Sequence, residues 1–305
     1  MQTLIRTTFI GVFTASIMLA SGPAVAQNID FSGGWNMVAH EDGPERLPGP
    51  ELGDYVGIPV NDAARLRGDT YDSNRISVVT EYQCRQHGGD YSMRGLAEMR
   101  ITTTLGPDSQ MVALQTRMGF HNQERTIYLD GRDRPSSHAA YTWGGFSTGV
   151  WDGNMLTVTT THLKPNYLRR NGLPASAERT FTEHWVMHSD YLSVVTVIND
   201  PVFLTEPLVR TQSWVRDPSL VITSNDCEYV TEVPGESADD VPHYLPGDNP
   251  YLREWSEWYG VPYDATRGGA DTMYPEYREL LPQTWSTLDR CERYCRCFNG
   301  FGCGL

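Results

Sequence analysis

The sequence lacks several of the short motifs that mark common enzyme classes. It contains no Walker A loop, no G-x-G-x-x-G, no H-E-x-x-H and no EF-hand loop, and no nucleophile elbow is expected. Each of these motifs supplies one chemical device, such as a phosphate-binding backbone or a set of metal ligands. Their absence argues against the commonest nucleotide enzymes, zinc proteases and calcium sensors, but not against enzymes in general.

Long apolar runs and an excess of positive charge are also missing. After the first 26 residues, no stretch approaches the apolar length that a membrane helix needs. Lys and Arg total 24 against 38 Asp and Glu, which gives a formal net charge of −14. An acidic balance argues against nucleic acid and anionic membrane surfaces as partners, and it favours solubility. The oligomeric state is not indicated.

The first 26 residues form a pattern of their own. Arg6 is followed by a short apolar stretch, and Ala24-Val25-Ala26 gives an A-x-A cleavage signal. This pattern predicts a secretory signal peptide that is cleaved near Ala26. The mature chain then has 305 − 26 = 279 residues, which suits one decorated domain or two small ones. We therefore expect a periplasmic or secreted protein.

Six cysteines in an exported chain indicate disulfides, because an oxidising compartment favours their formation. Cys84 and Cys227 stand apart in the body of the chain and are predicted to form one bridge. The other four crowd the C-terminus and are predicted to form two bridges: Cys291, Cys295, Cys297 and Cys303. Zinc is the alternative for the tail, although C-x3-C-x-C-x5-C is not a standard zinc spacing.

From Leu96 onward the pattern is typical of β-strands separated by turn residues about ten residues apart. This spacing, without intervening helices, predicts an antiparallel meander closed as a lipocalin-like β-barrel, with a β-sandwich as the alternative. The barrel is favoured because consecutive hairpins close without exposed edges. The predicted strands are Ala97–Thr104, Met111–Arg117, Arg125–Asp130, Gly145–Val150, Met155–His162, Thr180–Met187, Leu192–Asn199, Val209–Val215 and Ile222–Val230.

The regions that flank these strands suggest four parts of the chain. Gly34-Trp35 entering a first strand is common in lipocalin-like barrels, and Asn61–Asp72 is typical of a short helix. The predicted parts are the signal peptide (1–26), a β-barrel domain (27–233), a Pro-rich wrapping arm (234–290) and a cysteine-rich tail (291–305). Tyr251–Tyr259 is expected to form a short helix in the arm.

Several runs together resemble a family of exported bacterial proteins that has no settled activity. They are Glu45 to Pro50, Gln83-Cys84-Arg85, Arg125 to Arg132, Gly145 to Gly149, Trp151 to Gly153, Thr159 to Leu163, Asp200-Pro201 and Val241 to Pro246. The resemblance covers roughly residues 31–277 and implies a predominantly β fold and export. It carries over no catalytic residues, and the tail from Cys291 lies outside it.

His162 and Glu183 are the candidate catalytic pair. Strand alternation places both on the more apolar face of neighbouring strands, together with Trp185, so all three are expected to face one interior. A His beside a buried carboxylate is an arrangement used in acid–base catalysis. In the alternative, Glu183 pairs with an inward Arg125 or Arg210, and His162 caps the barrel rim.

The connection from Leu163 to Glu178 is far longer than a hairpin loop and carries positive charge in an acidic protein. Lys164, Arg169 and Arg170 are candidates for holding a carboxylate or phosphate over the barrel mouth. His243 and Trp185 are further candidate ligand contacts. His184 and His188 share a strand face, but no third ligand is evident, so no metal site is predicted.

The sequence thus favours a barrel that binds a small, largely apolar molecule. In an enzymatic form, His162 and Glu183 would move a proton in a lyase, isomerase or hydratase step that needs no cofactor. The alternatives are a carrier that binds its ligand unchanged, or a structural or interaction protein that docks a partner through its arm and tail.

Overall fold

A computed structural model describes residues 29–41, 50–73, 75, 78–94, 97–222, 227–228, 230 and 243–281. The predicted signal peptide and the two predicted bridges of the cysteine-rich tail lie outside these residues, as does the range 231–242. Within the described part of the chain, no helix is long and apolar enough to cross a membrane.

Nine strands close into a barrel, which confirms the predicted mainly β fold. Their order around the barrel is β1-β11-β10-β9-β6-β5-β4-β3-β2. Two short strands, β7 and β8, form a separate ribbon between β6 and β9 in the chain. The strands are β1 (Gly33–Met37), β2 (Met99–Leu105), β3 (Met111–Met118), β4 (Glu124–Tyr128), β5 (Phe146–Asp152), β6 (Met155–Thr161), β7 (Asn166–Tyr167), β8 (Pro174–Ala175), β9 (Thr180–His188), β10 (Tyr191–Asn199) and β11 (Leu208–Arg216).

The barrel is not a pure antiparallel meander, because β4 and β5 are parallel. Ile127 pairs with Ser147 and Tyr128 with Thr148 in this short parallel ladder. Parallel neighbours need a connection long enough to return the chain to its starting end. Residues 129–145 provide that return, so the turn expected at Asp130-Gly131 opens a long connection instead of a hairpin.

The last predicted strand, Ile222–Val230, lies largely outside the described residues. Among the described residues of that range, none belongs to a strand. The place beside β11 is taken by β1, where Trp35 lies opposite Arg216, and β1 also pairs with β2. The N-terminal strand therefore closes the barrel.

The barrel interior is filled by large side chains. Trp35, Trp185 and Trp214 are each fully buried in one cluster that is drawn from strands all around the barrel. Phe31 enters this cluster and stacks on Trp151, with ring centroids 5.5 Å apart, and it meets Trp185 edge-on at 5.7 Å. Burying side chains of this size contributes about 1.5–3 kcal/mol each. The alternation that predicted an inward Trp185 is confirmed, and that position belongs to the packed core.

Short helices pack around one end of the barrel. Helix α1 (Asp62–Asp69) begins at Asn61, whose side chain accepts a hydrogen bond from the Ala64 amide. Ala64 belongs to a second buried cluster beneath the β7–β8 ribbon. The other helices are α2 (Gly89–Ser92), α3 (Glu254–Tyr259), α4 (Tyr263–Thr266) and α5 (Pro275–Leu280), with 3-10 turns at Thr80–Gln83, Phe120–Asn122 and Gly269–Met273.

The C-terminal arm is tied to the body of the protein by polar contacts. Arg267 forms an ion pair with Asp69 at the end of α1. The backbone amides of Tyr55 and Gly57 donate to carbonyls of Thr266 and Gly269, at 2.9 and 3.0 Å. The arm therefore holds the segment that precedes α1 in place.

The predicted disulfide between Cys84 and Cys227 is present. It attaches the 3-10 turn Thr80–Gln83 to a segment distant in the chain, with a sequence separation of 143 residues. The Val230 amide donates to the Tyr82 carbonyl beside it, at 3.1 Å. This bridge fixes the position of the turn.

We expect the double substitution Cys84→Ser and Cys227→Ser to lower the free energy of unfolding by about 2–4 kcal/mol, because the bridge restricts the unfolded chain. Urea denaturation without reductant measures the loss. Adding reductant to the variant then isolates the contribution of the remaining cysteines. An unchanged midpoint in the oxidised variant would contradict a stabilising bridge.

Candidate functional site

The barrel interior contains one carboxylate, Glu183, which is fully buried on β9. The Arg125 guanidinium on β4 donates to it through Nη2, and Arg125 is itself buried. The guanidinium carbon also lies 5.5 Å from the Phe181 ring centroid. Glu183 is therefore the partner of an inward arginine, which was the alternative interpretation of the sequence.

Burial raises the pKa of the Glu183 carboxyl, because a charged group is poorly solvated there. The Arg125 guanidinium opposes that rise through its charge and its hydrogen bond. The group that favours ionised Glu183 is thus a buried side chain of the barrel interior, as expected for a structural ion pair.

His162 does not meet Glu183. β6 ends at Thr161, and His162 has a left-handed backbone with φ of 58°, so the alternation of side chains stops one residue before it. Its Nε2 lies 2.9 Å from the Ser136 carbonyl, and its Nδ1 lies 2.8 Å from the Thr161 hydroxyl. The expectation that both residues face one interior is wrong for His162, which lies at the rim.

A second buried ion pair lies at the end of the barrel. Arg179 donates to both carboxylate oxygens of Asp90 in α2, at 3.0 and 3.1 Å, and also to the Ser176 carbonyl. The cavity beside α2 and Arg125 measures only about 10 Å³. That space is enough for about one water molecule. This end of the barrel therefore offers no room for an organic ligand.

A much larger cavity of about 730 Å³ lies outside the barrel, and we call it the lateral groove. Its walls come from α1, residues 78–80, the β7–β8 ribbon and residues 243–246. Four rings face it, from Tyr71, Tyr167, Phe203 and Tyr244, together with three prolines, Pro165, Pro174 and Pro246. Its volume falls within the range of small-molecule sites, about 300–1,000 Å³.

The polar side chains that line the groove include Arg67, Thr70, Thr80, Asn166, Tyr167 and His243. Two of them, Thr80 and Tyr167, are joined by a hydrogen bond. The Tyr167 hydroxyl donates to Glu81 Oε1 at 2.5 Å, and the Thr80 hydroxyl lies 3.1 Å from the Tyr167 hydroxyl. Behind the wall, Arg170 Nε lies 3.3 Å from the same Glu81 oxygen. His87 Nε2 approaches that oxygen to 3.6 Å. Glu81 therefore organises this wall.

The protonation states of Glu81, His87 and Tyr167 are set by burial and by neighbouring groups. Burial opposes ionisation of Glu81, but His87, the Tyr167 hydrogen bond and Arg170 outweigh it and lower the pKa of Glu81. Burial lowers the pKa of His87 to about 4, despite the attraction of Glu81. Burial, reinforced by Tyr91 and Glu81, raises the pKa of Tyr167. At neutral pH the wall thus presents a protonated phenol held by a carboxylate.

The predicted basic loop does not cover the barrel mouth. Arg169 is buried, and it donates to the Asp54 carbonyl at 2.7 Å and pairs with the Asp54 carboxylate at 3.3 Å. Arg170 pairs with Glu81 behind the groove. Lys164 lies in a different cleft, together with His162. Of the predicted ligand contacts, His243 is the one that lines the lateral groove.

Other sequence patterns have structural explanations. His184 Nδ1 lies 3.1 Å from the Thr157 hydroxyl, and His188 is exposed. In the part of the chain that the structure describes, no three His, Cys, Asp or Glu residues are placed to hold a metal. Residues Gly145 to Gly149 match the G-x-S-x-G motif. Ser147, however, lies buried inside β5 and its hydroxyl is hydrogen-bonded to that of Thr160, so it forms no nucleophile elbow.

Sequence reasoning missed Glu81, Tyr167 and Thr80. Glu81 precedes the Gln83-Cys84-Arg85 run, and Tyr167 lies in the long loop, so both belonged to regions already marked as unusual. Nothing in the local pattern pairs two residues 86 positions apart. The disulfide at Cys84 was the available signal that this segment is held in a fixed position.

No family model, no curated protein and no solved structure matches this chain. The resemblance to a family of exported bacterial proteins therefore stays a prediction.

The pairing of Arg125 with Glu183 can be tested by substitution. We expect Arg125→Met to destabilise the protein by about 3–5 kcal/mol, because it leaves a buried carboxylate without its partner. The double variant Arg125→Met, Glu183→Leu should be much closer to the wild type. Urea denaturation of the three proteins measures this. A single variant no less stable than the double variant would contradict the pairing.

Stability should also depend on pH through His87. The pKa of His87 is lowered from 6.5 to about 4 in the folded protein. The contribution of neutral His87 to the free energy of unfolding is therefore complete above pH 6.5 and is lost as the pH falls towards 4. The full loss is roughly 3 kcal/mol. Urea denaturation at several pH values should show this slope in the wild type and a shallower one in His87→Phe. Equal slopes would contradict a neutral, buried His87.

Proposed function

We propose that the protein binds a small, largely apolar molecule in the lateral groove. The observation that carries this proposal is a cavity of about 730 Å³ with four aromatic rings in its walls. Rings that are not fully enclosed by the protein offer flat apolar surface to a ligand. A site outside the barrel is also favoured over one inside it, because core side chains pack against one another and fill the interior.

The hydroxyl groups of Thr80 and Tyr167 in the groove wall define the kind of polar group that the ligand should bring. Tyr167 donates its proton to Glu81, and the Thr80 hydroxyl is within reach of both Tyr167 and Glu81, at 3.1 and 3.2 Å. Both oxygens keep a lone pair that can accept a hydrogen bond from a ligand. A ligand that brings an O–H or N–H donor to this wall is therefore favoured over one that brings only acceptors.

Binding without conversion is the activity that this geometry supports best. The phenolic proton of Tyr167 is held by Glu81, and the raised pKa of Tyr167 keeps it on the ring. The acid–base mechanism expected for His162 and Glu183 has no support, since Glu183 is paired with Arg125 inside the barrel. Predicted export and the Cys84–Cys227 bridge support a role in an oxidising compartment. The protein is thus proposed to be an exported carrier.

Two related probes test the groove. 1-Naphthol has an apolar ring system and one O–H donor, whereas 1-methoxynaphthalene lacks the donor. We expect 1-naphthol to bind at least about fivefold more tightly, because one net hydrogen bond contributes about 1 kcal/mol. Equilibrium dialysis with the mature protein measures both dissociation constants. Equal binding of the two probes would contradict the role of Thr80 and Tyr167.

A pair of leucine substitutions locates the site. Leu66 on α1 lines the groove and is 49% exposed, whereas Leu280 on α5 is 79% exposed and lies outside it. Leu66→Glu should weaken 1-naphthol binding about tenfold or more, because it places a charge against an apolar ligand. Leu280→Glu serves as the matched control and should bind like the wild type. Equal binding by both variants would place the ligand elsewhere.

A further inference from the structure

A second cavity of about 450 Å³ lies between the long connection 129–145 and the outer surface of β4 and β5. We call it the rim cleft. It shares none of its lining residues with the lateral groove. It exists because β4 and β5 are parallel, so that the returning chain passes over the outside of the barrel instead of turning back at its end.

Four aromatic side chains line the rim cleft, from Tyr128, Tyr141, Trp143 and Phe146. None of them belongs to either buried cluster, and each retains exposed surface. Tyr128 and Phe146 lie side by side with their ring centroids 5.4 Å apart and a tilt of 30°. The Arg132 guanidinium carbon lies 3.7 Å from the Tyr128 ring centroid, so the apolar surface open to a ligand comes mainly from Tyr141, Trp143 and Phe146.

Polar groups also line the rim cleft. The Gln86 amide, the Thr126 hydroxyl and the Glu124 carboxylate line the same cleft. Together they offer both donors and acceptors of hydrogen bonds. Flat apolar faces beside mixed donors and acceptors fit a sugar ring, which has apolar C–H faces and a rim of hydroxyl groups.

Lys164 is the only lysine in the sequence, and it lies in this cleft. Its ammonium group is 5.1 Å from the Trp143 ring centroid, and its side chain is exposed. Among the described residues, no carboxylate forms an ion pair with it. Its backbone amide donates to the Thr142 carbonyl at 2.9 Å, which fixes Lys164 beside the connection that carries Trp143.

Among the described residues that line the cleft, Lys164 is the exposed cation. Arg125 also lines the cleft, but it is buried and its Nη2 donates to Glu183 inside the barrel. Glu124 is the opposing charge, but its side chain is 72% exposed and lies 3.9 Å from Arg117. His162 contacts the Ser136 carbonyl and the Thr161 hydroxyl. A single unpaired ammonium beside aromatic rings favours a ligand with one negative charge.

We propose that the rim cleft binds a small saccharide that carries a carboxylate, such as a uronic acid. Lys164 pairs with the carboxylate, the aromatic side chains lie against the C–H faces of the sugar, and Gln86, Thr126 and Glu124 bond its hydroxyl groups. This site is independent of the carrier function proposed for the lateral groove.

The single lysine allows a specific experiment. Reductive methylation with ¹³C-formaldehyde labels Lys164 and the N-terminus while keeping the positive charge. NMR titration with galacturonate should shift the Lys164 signal to saturation, whereas galactose and acetate at the same concentrations should shift it much less. Equal shifts with acetate would overturn the saccharide assignment, and equal shifts with galactose would overturn the role of the carboxylate.

Substitutions then test the pairing in the unmodified protein. By calorimetry, Lys164→Gln should weaken galacturonate binding about tenfold or more, because it removes a charge-assisted contact. Arg278→Gln removes an exposed charge from α5 and should leave binding unchanged. Circular dichroism checks that both variants are folded. A Lys164→Gln variant that binds like the wild type, or an absence of galacturonate binding in the wild type, would overturn the proposal.

Discussion

The ion pair between Arg125 and Glu183 determines what the inside of this barrel can contain. Glu183 is fully buried, and its charge is tolerated there because a guanidinium on a facing strand donates to it. Separating such a pair costs several kcal/mol, so a ligand that displaced either partner would bind poorly. Asp90 and Arg179 impose the same constraint at the barrel end, where α2 closes it. The barrel is therefore a scaffold, and its interior is occupied by its own side chains.

With the interior filled, any ligand-binding surface has to lie outside the barrel, and long connections supply walls of both cavities. The ribbon inserted between β6 and β9 supplies one wall of the lateral groove. The return between the parallel strands β4 and β5 forms the rim cleft. Connections between strands tolerate insertions because the strands provide the stability. For that reason functional residues are commonly found on connections. The Cys84–Cys227 bridge and the C-terminal arm hold the groove side in position.

Local sequence patterns predicted most of the barrel strands and the faces of many of their residues, because alternation depends only on neighbours in the chain. This alternation predicted an inward Glu183 and Trp185, and Arg125 or Arg210 was offered as the partner of the acid. It failed at His162, where a left-handed backbone conformation interrupts the alternation. The parallel pair and the contact between Glu81 and Tyr167 could not be predicted, because they depend on how distant segments return to one another.

The most direct test is a crystal structure of the mature protein with the molecule that co-purifies with it from its own host. We predict that the ligand lies in the lateral groove, with its apolar body against the aromatic walls and an O–H or N–H directed at Thr80 and Tyr167. The Arg125–Glu183 pair should be intact in that complex. A ligand inside the barrel, between Trp185 and Trp214, would contradict this account.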